Sequence, residues 1–177
     1  MVHNTMGNYL ELTGKNAREV MEKILIPDPE CDNPTDKVVD FSKIIPVDNQ
    51  DSYNECYEKW GVVRNANNTQ YYYEGEGNPP SKANVICFDT PEPVPKVIAE
   101  LAKQNPDLHI FYEHCDEDAT MAGMRVYEHG EEIDSCTYEY RGHSMMSAFF
   151  TMWGREDEFE WNAEKEQYEK VQEAVAE

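Results

Sequence analysis

Alternation of apolar and polar positions opens the chain. Asn8-Tyr9-Leu10-Glu11-Leu12-Thr13 alternates and predicts a first strand, broken by Gly14. Asn16 is then a candidate N-cap with Glu19 three residues on. Ala17, Val20, Met21, Ile24 and Leu25 recur at helical spacing, so the first helix is predicted to run to about Ile26 and stop at Pro27. Trp60-Gly61-Val62-Val63 predicts the start of a second strand. Asn84 to Asp89 predicts a third, apolar enough to be central. Thr90-Pro91 has the form of an N-cap followed by Pro at the first helical position. Val94, Val97, Ile98, Leu101 and Ala102 supply the apolar face of that second helix, which ends before Asn105-Pro106. Strands are predicted over Leu108–His114 and Gly123–Glu128, and His129-Gly130 turns the latter into a sixth near Ile133 to Tyr140.

Three stretches depart from this rhythm. Residues 27–58 carry Pro27, Pro34 and Pro46 and nine acids against Lys37 and Lys43, which predicts a long acidic loop. A short docked segment, Val38 to Ile45, interrupts it, and Asp51 to Lys59 predicts a helical turn. Asn65 to Pro80, rich in Asn and Gly around Tyr71-Tyr72-Tyr73, predicts a hairpin tip. After Arg141-Gly142-His143, the residues Met145, Met146, Phe149, Phe150, Met152 and Trp153 predict a helix that plugs onto the core, ended by Gly154. Trp161, Tyr168, Val171 and Val175 then predict an amphipathic helix over 155–177. The order is β-α-β-β-α-β plus a hairpin. The expected class is therefore α+β: a ferredoxin-like split β-α-β with an antiparallel sheet, an extra hairpin and C-terminal helices. Residues 1–140 form the ferredoxin-like domain and residues 141–177 a helical extension.

Charge changes this picture most. Thirty-six acids against fifteen bases give the 177 residues a formal net charge of -21. Eleven Tyr, six Phe and three Trp set the chain apart from disordered acidic sequences, so the charge belongs on a folded surface. Such a surface repels nucleic acid and anionic membrane and favours basic proteins. No apolar run reaches the roughly 20 residues needed to span a bilayer, and no signal peptide is visible at Met1–Met6. Five cysteines, odd in number and without CxxC pairing, fit reduced thiols, so the expected compartment is the cytoplasm.

Several segments, taken in order, resemble the YubB-like, ferredoxin-like domain family of phage and plasmid proteins. They are Thr13-Gly14, Phe41-Ser42-Lys43-Ile44-Ile45-Pro46, Trp60-Gly61 with Asn65-Ala66, Phe88-Asp89-Thr90-Pro91 running to Val97-Ile98, Pro106-Asp107-Leu108, Tyr112-Glu113, Asp116-Glu117, Ala122-Gly123 and Tyr127-Glu128-His129-Gly130. The resemblance covers about residues 5–134. The chain departs from the family's pattern at Arg64 and at Glu92-Pro93. The resemblance implies a ferredoxin-like fold, a mobile-element origin and a host bacterial cytosol; it implies no activity.

Candidate chemistry is sparse. His114-Cys115-Asp116-Glu117-Asp118 clusters metal-ligating types, but neighbours on a strand point to opposite faces and the spacing fits neither zinc nor calcium loops. No metal or cofactor is expected. Cys87 reads as a small core residue, and an acidic protein offers Cys115 no electropositive setting. Glu113, Glu117 and Glu128 are candidates for paired acid–base work, though carboxylates abound. Tyr71-Tyr72-Tyr73, Phe111 and Tyr127 imitate an RNA-binding aromatic platform, yet Arg64, Lys82 and Arg125 are nearly alone nearby, so no direct nucleic-acid binding is expected.

The acids themselves remain. Carboxylates spaced along an ordered surface imitate phosphates and can occupy a Lys/Arg channel. The expected function is therefore non-enzymatic: nucleic-acid mimicry that inhibits a basic bacterial defence protein, such as a CRISPR effector or nuclease. The expected partner-binding residues are Asp116, Glu117, Asp118, Glu131, Glu132, Asp134, Glu156, Asp157, Glu158 and Glu160, with Tyr72 and Trp161 as aromatic anchors. Two other classes fit the same sequence. One is a small-molecule binder or enzyme with a cleft between the sheet and the C-terminal helices. The other is an oligomeric assembly protein with the Trp161/Tyr168/Val171/Val175 stripe as a homodimer seam.

Overall fold

Leu10 and Leu12 alternate with Tyr9 and Glu11, and this parity sets the plan of the molecule. The computed structural model describes residues 5–33, 35–77 and 79–171. Strand β1 (Met6–Thr13) lies inside a six-stranded sheet with β4 (Asn67–Tyr72), β5 (Asn84–Thr90), β6 (His109–Asp116), β7 (Ala122–Glu128) and β8 (Glu131–Thr137). The order is β4-β5-β1-β6-β7-β8, and every pairing is antiparallel. With four helices among the described residues, the class is α+β, as expected. Among the described residues no helix is long and apolar enough to cross a membrane.

One face of the sheet is covered by α1 (Ala17–Ile24) and α3 (Pro95–Gln104). Leu10, Leu12, Ile86, Phe88, Ile110 and Tyr112 meet Val20, Met21, Ile24, Val97, Ile98 and Leu101 in a single buried cluster. Each large apolar side chain buried there contributes about 1.5–3 kcal/mol, which is why even-numbered positions of β1 and β6 are fixed inward. The start of α3 differs from expectation. β5 runs on to Thr90, paired with Met6, and its hydroxyl donates to the Glu92 carbonyl. The helix begins only at Pro95, after Val94. The Asn16 side chain likewise caps nothing in α1.

The acidic 27–58 segment is more ordered than a long loop. β2 (Leu25–Pro27) pairs with β3 (Lys37–Val39), a 3-10 turn covers Phe41–Lys43, and α2 spans Tyr53–Trp60. Ser52 caps α2, and Gly61 ends it in the left-handed region at φ +83. Trp60 therefore closes a helix instead of opening a strand. Its ring meets Phe41 edge-on at 5.6 Å, Phe41 meets Phe88 at 5.9 Å, and its indole N–H donates to the Ile45 carbonyl at 2.8 Å. Two aromatic anchors, Phe41 and Trp60, thus hold the acid-rich segment against Phe88 of the core. The hairpin expected around residues 65–80 is present as β4 and its antiparallel neighbour β5, but its tip begins only after Tyr72: Asn67–Tyr72 are strand, and Tyr71 and Tyr73 pack on the core.

The C-terminal region splits. α4 (His143–Trp153) forms as expected and ends at Gly154, φ +59. Met145, Met146 and Phe149 pack with Cys115, Ala122 and Phe159 in a second cluster on the opposite sheet face. The amphipathic helix expected over 155–177 is absent from its described part. A 3-10 turn at Glu156–Glu158 leads into a hairpin, β9 (Phe159–Asn162) and β10 (Gln167–Lys170). Trp161 and Tyr168 are direct cross-strand partners, so a seven-residue spacing is satisfied by a hairpin as well as by a helix. The Asn162 side chain accepts from the Glu164 and Lys165 amides and fixes the turn. Val175 lies outside the described residues.

Candidate functional site

α4 covers only one end of the second sheet face. It crosses β1 at Gly7, where a Cβ would come within 3.1 Å of the Trp153 ring. Beyond that crossing the odd-numbered positions of β1 and β6 stay open. Tyr9 lies opposite Glu113 and Glu11 opposite Phe111, so two rings and two carboxylates alternate on adjacent strands. The rings of Tyr9 and Phe111 meet edge-on at 6.3 Å. All four side chains are half-buried.

Each carboxylate is held by a tyrosine. The Tyr9 hydroxyl donates to Glu11 at 3.1 Å, and the Tyr138 hydroxyl donates to Glu113 at 2.5 Å. Burial raises the Glu113 carboxyl above the usual range, partly offset by the Tyr138 bond. Burial and the adjacent Glu11 raise the Tyr9 phenol. Next on the same face, Cys87 lies opposite Tyr9, and Asp89 lies opposite Gly7. Burial pushes the Cys87 thiol up to about 11 and raises Asp89, whose carboxylate accepts from Asn68 at 2.8 Å. Cys87 is thus half-buried on the open face, not a core residue, because β5 turns its odd positions outward. Where this face meets α4, a cleft of about 450 Å³ is lined by Asn68, Gln70, Cys87, Asp89, Met152 and Trp153.

The expected partner-binding residues do not form one patch. Asp116 is buried, 2 % exposed, and organises the turn after β6. Its carboxylate accepts from the Thr120 and Met121 amides at 2.7 and 2.9 Å and from the Thr120 hydroxyl. Glu117 accepts from the Thr5 amide at 2.9 Å, and Asp118 beside it is exposed. Glu131, Glu132 and Asp134 lie on β8, the outer strand, where every residue is exposed. Glu132 pairs with Arg125 at 2.6 Å, which holds its carboxyl below the usual range. Glu156 and Asp157 are exposed on the 3-10 turn, and Glu160 is exposed on β9. Glu158 takes both ends of the Arg155 guanidinium at 2.6 Å, while Arg155 also donates to the Glu117 carbonyl. Trp161 stacks on His143 at 4.1 Å. Tyr72 is exposed on β4, the opposite edge from β8, about 24 Å away at the usual strand spacing.

Of the platform aromatics, Tyr127 is buried in the core and Phe111 stands on the open face. His114 stacks on Tyr112 at 5.5 Å, whereas Cys115 packs under α4, so the two point to opposite faces. Among the described residues no group of three His, Cys, Asp or Glu side chains is arranged to hold a metal ion. The Tyr9 and Glu11 contribution was missed by sequence reasoning, although the alternation of β1 already carried their parity.

No family model and no curated protein matches the chain. A solved structure, protein api92 of the DUF1281 family from Yersinia pseudotuberculosis, is similar at 15 % identity and a TM-score of 0.45. The likeness covers 60 % of this chain and 43 % of that one, and at this level it says nothing of fold or activity here.

Proposed function

We propose that the chain is a non-enzymatic binding protein for the basic surface of a nucleic-acid-binding protein. In its specific form it inhibits a bacterial defence nuclease or CRISPR effector and acts in the bacterial cytosol, as a phage or plasmid protein of the YubB-like kind. The observation that carries this reading is the composition of the open sheet face. Glu11, Asp89 and Glu113 stand in the positions where an RNA-binding sheet needs cations, and no Lys or Arg shares their cross-strand register on β5, β1 and β6. Carboxylates there repel phosphate and attract cationic protein surfaces. The order β4-β5-β1-β6, with helices after β1 and β5 on one face, supports the ferredoxin-like split β-α-β as the underlying fold.

The test is capture from bacterial lysate by the tagged protein at low and at high salt. Retention of a nucleic-acid-binding protein, weakened by salt and competed by nucleic acid, is the expected result. Retention of nothing at either salt overturns the reading. The cleft beside Trp153 favours a second reading, a small-molecule binder; ligand-dependent thermal stabilisation, blocked by Asp89→Asn, is its signature.

A further inference from the structure

Five ion pairs join described residues: Arg18–Glu22, His109–Glu128, Arg125–Glu132, Arg155–Glu158 and Lys165–Glu169. Of these, only His109–Glu128, at 3.8 Å near the start of β6, stands on the open face, and it engages neither Glu11 nor Glu113. Glu11 and Glu113 each engage one oxygen with a tyrosine hydroxyl and have no cation beside them among the described residues. They are also half-buried, so each carboxylate has lost part of its hydration without gaining a counter-charge.

We propose that the Tyr9, Glu11, Phe111 and Glu113 quartet is a docking site for an arginine side chain of a basic polypeptide. This rests on the proposed function and narrows it to one face. The checkerboard suits a guanidinium in particular. That group is planar, stacks on aromatic rings and forks its donors onto carboxylates. A ring lies directly across from each carboxylate, so one guanidinium can stack on Phe111 while donating to Glu11, or on Tyr9 while donating to Glu113. A lysine ammonium supplies the charge but neither the stacking plane nor the fork. Phosphate is excluded by like charge. A second copy docked through the same face would set Glu11 and Glu113 against their own counterparts. A basic polypeptide is therefore the occupant that the charges favour.

The test is titration of the full-length, isotope-labelled protein with a nona-arginine peptide, followed by amide shifts. Shifts are expected to centre on Tyr9, Glu11, Phe111 and Glu113 and to weaken with salt. Nona-lysine binds at least several-fold more weakly. Glu11→Gln combined with Glu113→Gln weakens nona-arginine binding about tenfold or more. The charge-matched pair Glu19→Gln with Glu58→Gln, exposed on α1 and α2 behind the other face, changes it less than twofold. Equal losses in both double variants, or shifts centred on β8 or on residues 156–160, overturn this site yet leave a basic partner standing. Self-association through this face also overturns it. No shift with either peptide overturns the site and, if lysate capture is empty too, the proposed function with it. Thermal unfolding of each variant confirms that the comparison is between folded proteins.

Discussion

The side-chain oxygen of Asn8 accepts a 2.7 Å hydrogen bond from the Tyr112 hydroxyl, which itself accepts from the Val94 amide at 2.9 Å. The Asn8 amide group donates to the Met6 and Phe88 carbonyls and to the Thr90 hydroxyl. One buried relay thus ties β1, β5 and β6 to the start of α3, with every polar atom occupied. Tyr112→Phe keeps the ring but strands the Val94 N–H and leaves the Asn8 oxygen without its donor. The expected loss is about 2 kcal/mol, seen as a lower urea midpoint at unchanged slope.

Asp116 and Asp118 separate a folding role from a surface role within three residues. Asp116→Ala removes three acceptor contacts from a buried turn and is expected to cost about 2–3 kcal/mol. Asp118→Ala, on an exposed side chain, is expected to stay within about 0.5 kcal/mol. Thermal melts of the two variants measure the contrast. A nearly neutral Asp116→Ala would remove the carboxylate as organiser of this turn.

His114 makes stability fall on the acid side. Burial first, and then Arg125, pushes its imidazole down to about 4, with Asp116 opposing. A base whose folded pKa is depressed stabilises the fold above its unfolded value near 6.5, and that stability is lost as pH falls towards 4. The difference is on the order of 3 kcal/mol. His114→Gln is expected to flatten the wild-type slope between pH 6.5 and 4.5 relative to the other titrating groups. Imidazole NMR checks the cause directly: the His114 ring should stay neutral down to pH 5.

Two glycines differ in what they tolerate. A Cβ at Gly123 would lie 2.6 Å from the Cys136 carbonyl oxygen on β8, a backbone atom that cannot step aside. At Gly7 the nearest atoms belong to the Trp153 and Met152 side chains, at 3.1 and 3.3 Å, and these can shift. Gly123→Ala is expected to cost about 2 kcal/mol and to speed amide exchange across β8. Gly7→Ala is expected to cost less than about 1 kcal/mol, and Gly7→Val to displace the end of α4, read as a red shift in Trp fluorescence.

Charge reversal near the C-terminus has a built-in trap. Glu158 holds Arg155, and Arg155 holds the turn after β6 through the Glu117 carbonyl. Reversing Glu156, Asp157 and Glu160 to Lys should leave the melting temperature within about 2 °C, because these side chains are exposed. Adding Glu158→Lys should lower it further. Only the triple variant therefore reports on partner binding.

The sequence by itself determined the elements whose periodicity is unambiguous. β1, α1, β5, β6, β7 and α4 follow from alternation or 3.6-residue spacing over eight or so positions, and Gly154 was legible as the end of α4. It also determined that the surface is acidic. Tertiary structure decided what local patterns leave degenerate. Trp161 and Tyr168 are seven apart, which suits one face of a helix and a hairpin pair alike, and packing beside His143 and Phe150 selected the hairpin. Residues 27–58 read as loop because acids and prolines outnumber apolar residues, but Phe41 and Trp60 needed Phe88, far along the chain, to order them. Asp116 and Asp118 are the same residue type two positions apart, and only the turn made one a buried acceptor and the other solvated. The open face followed the same logic: Tyr9, Glu11, Phe111 and Glu113 become neighbours through the β1–β6 register, a relation about a hundred residues long that no local pattern encodes.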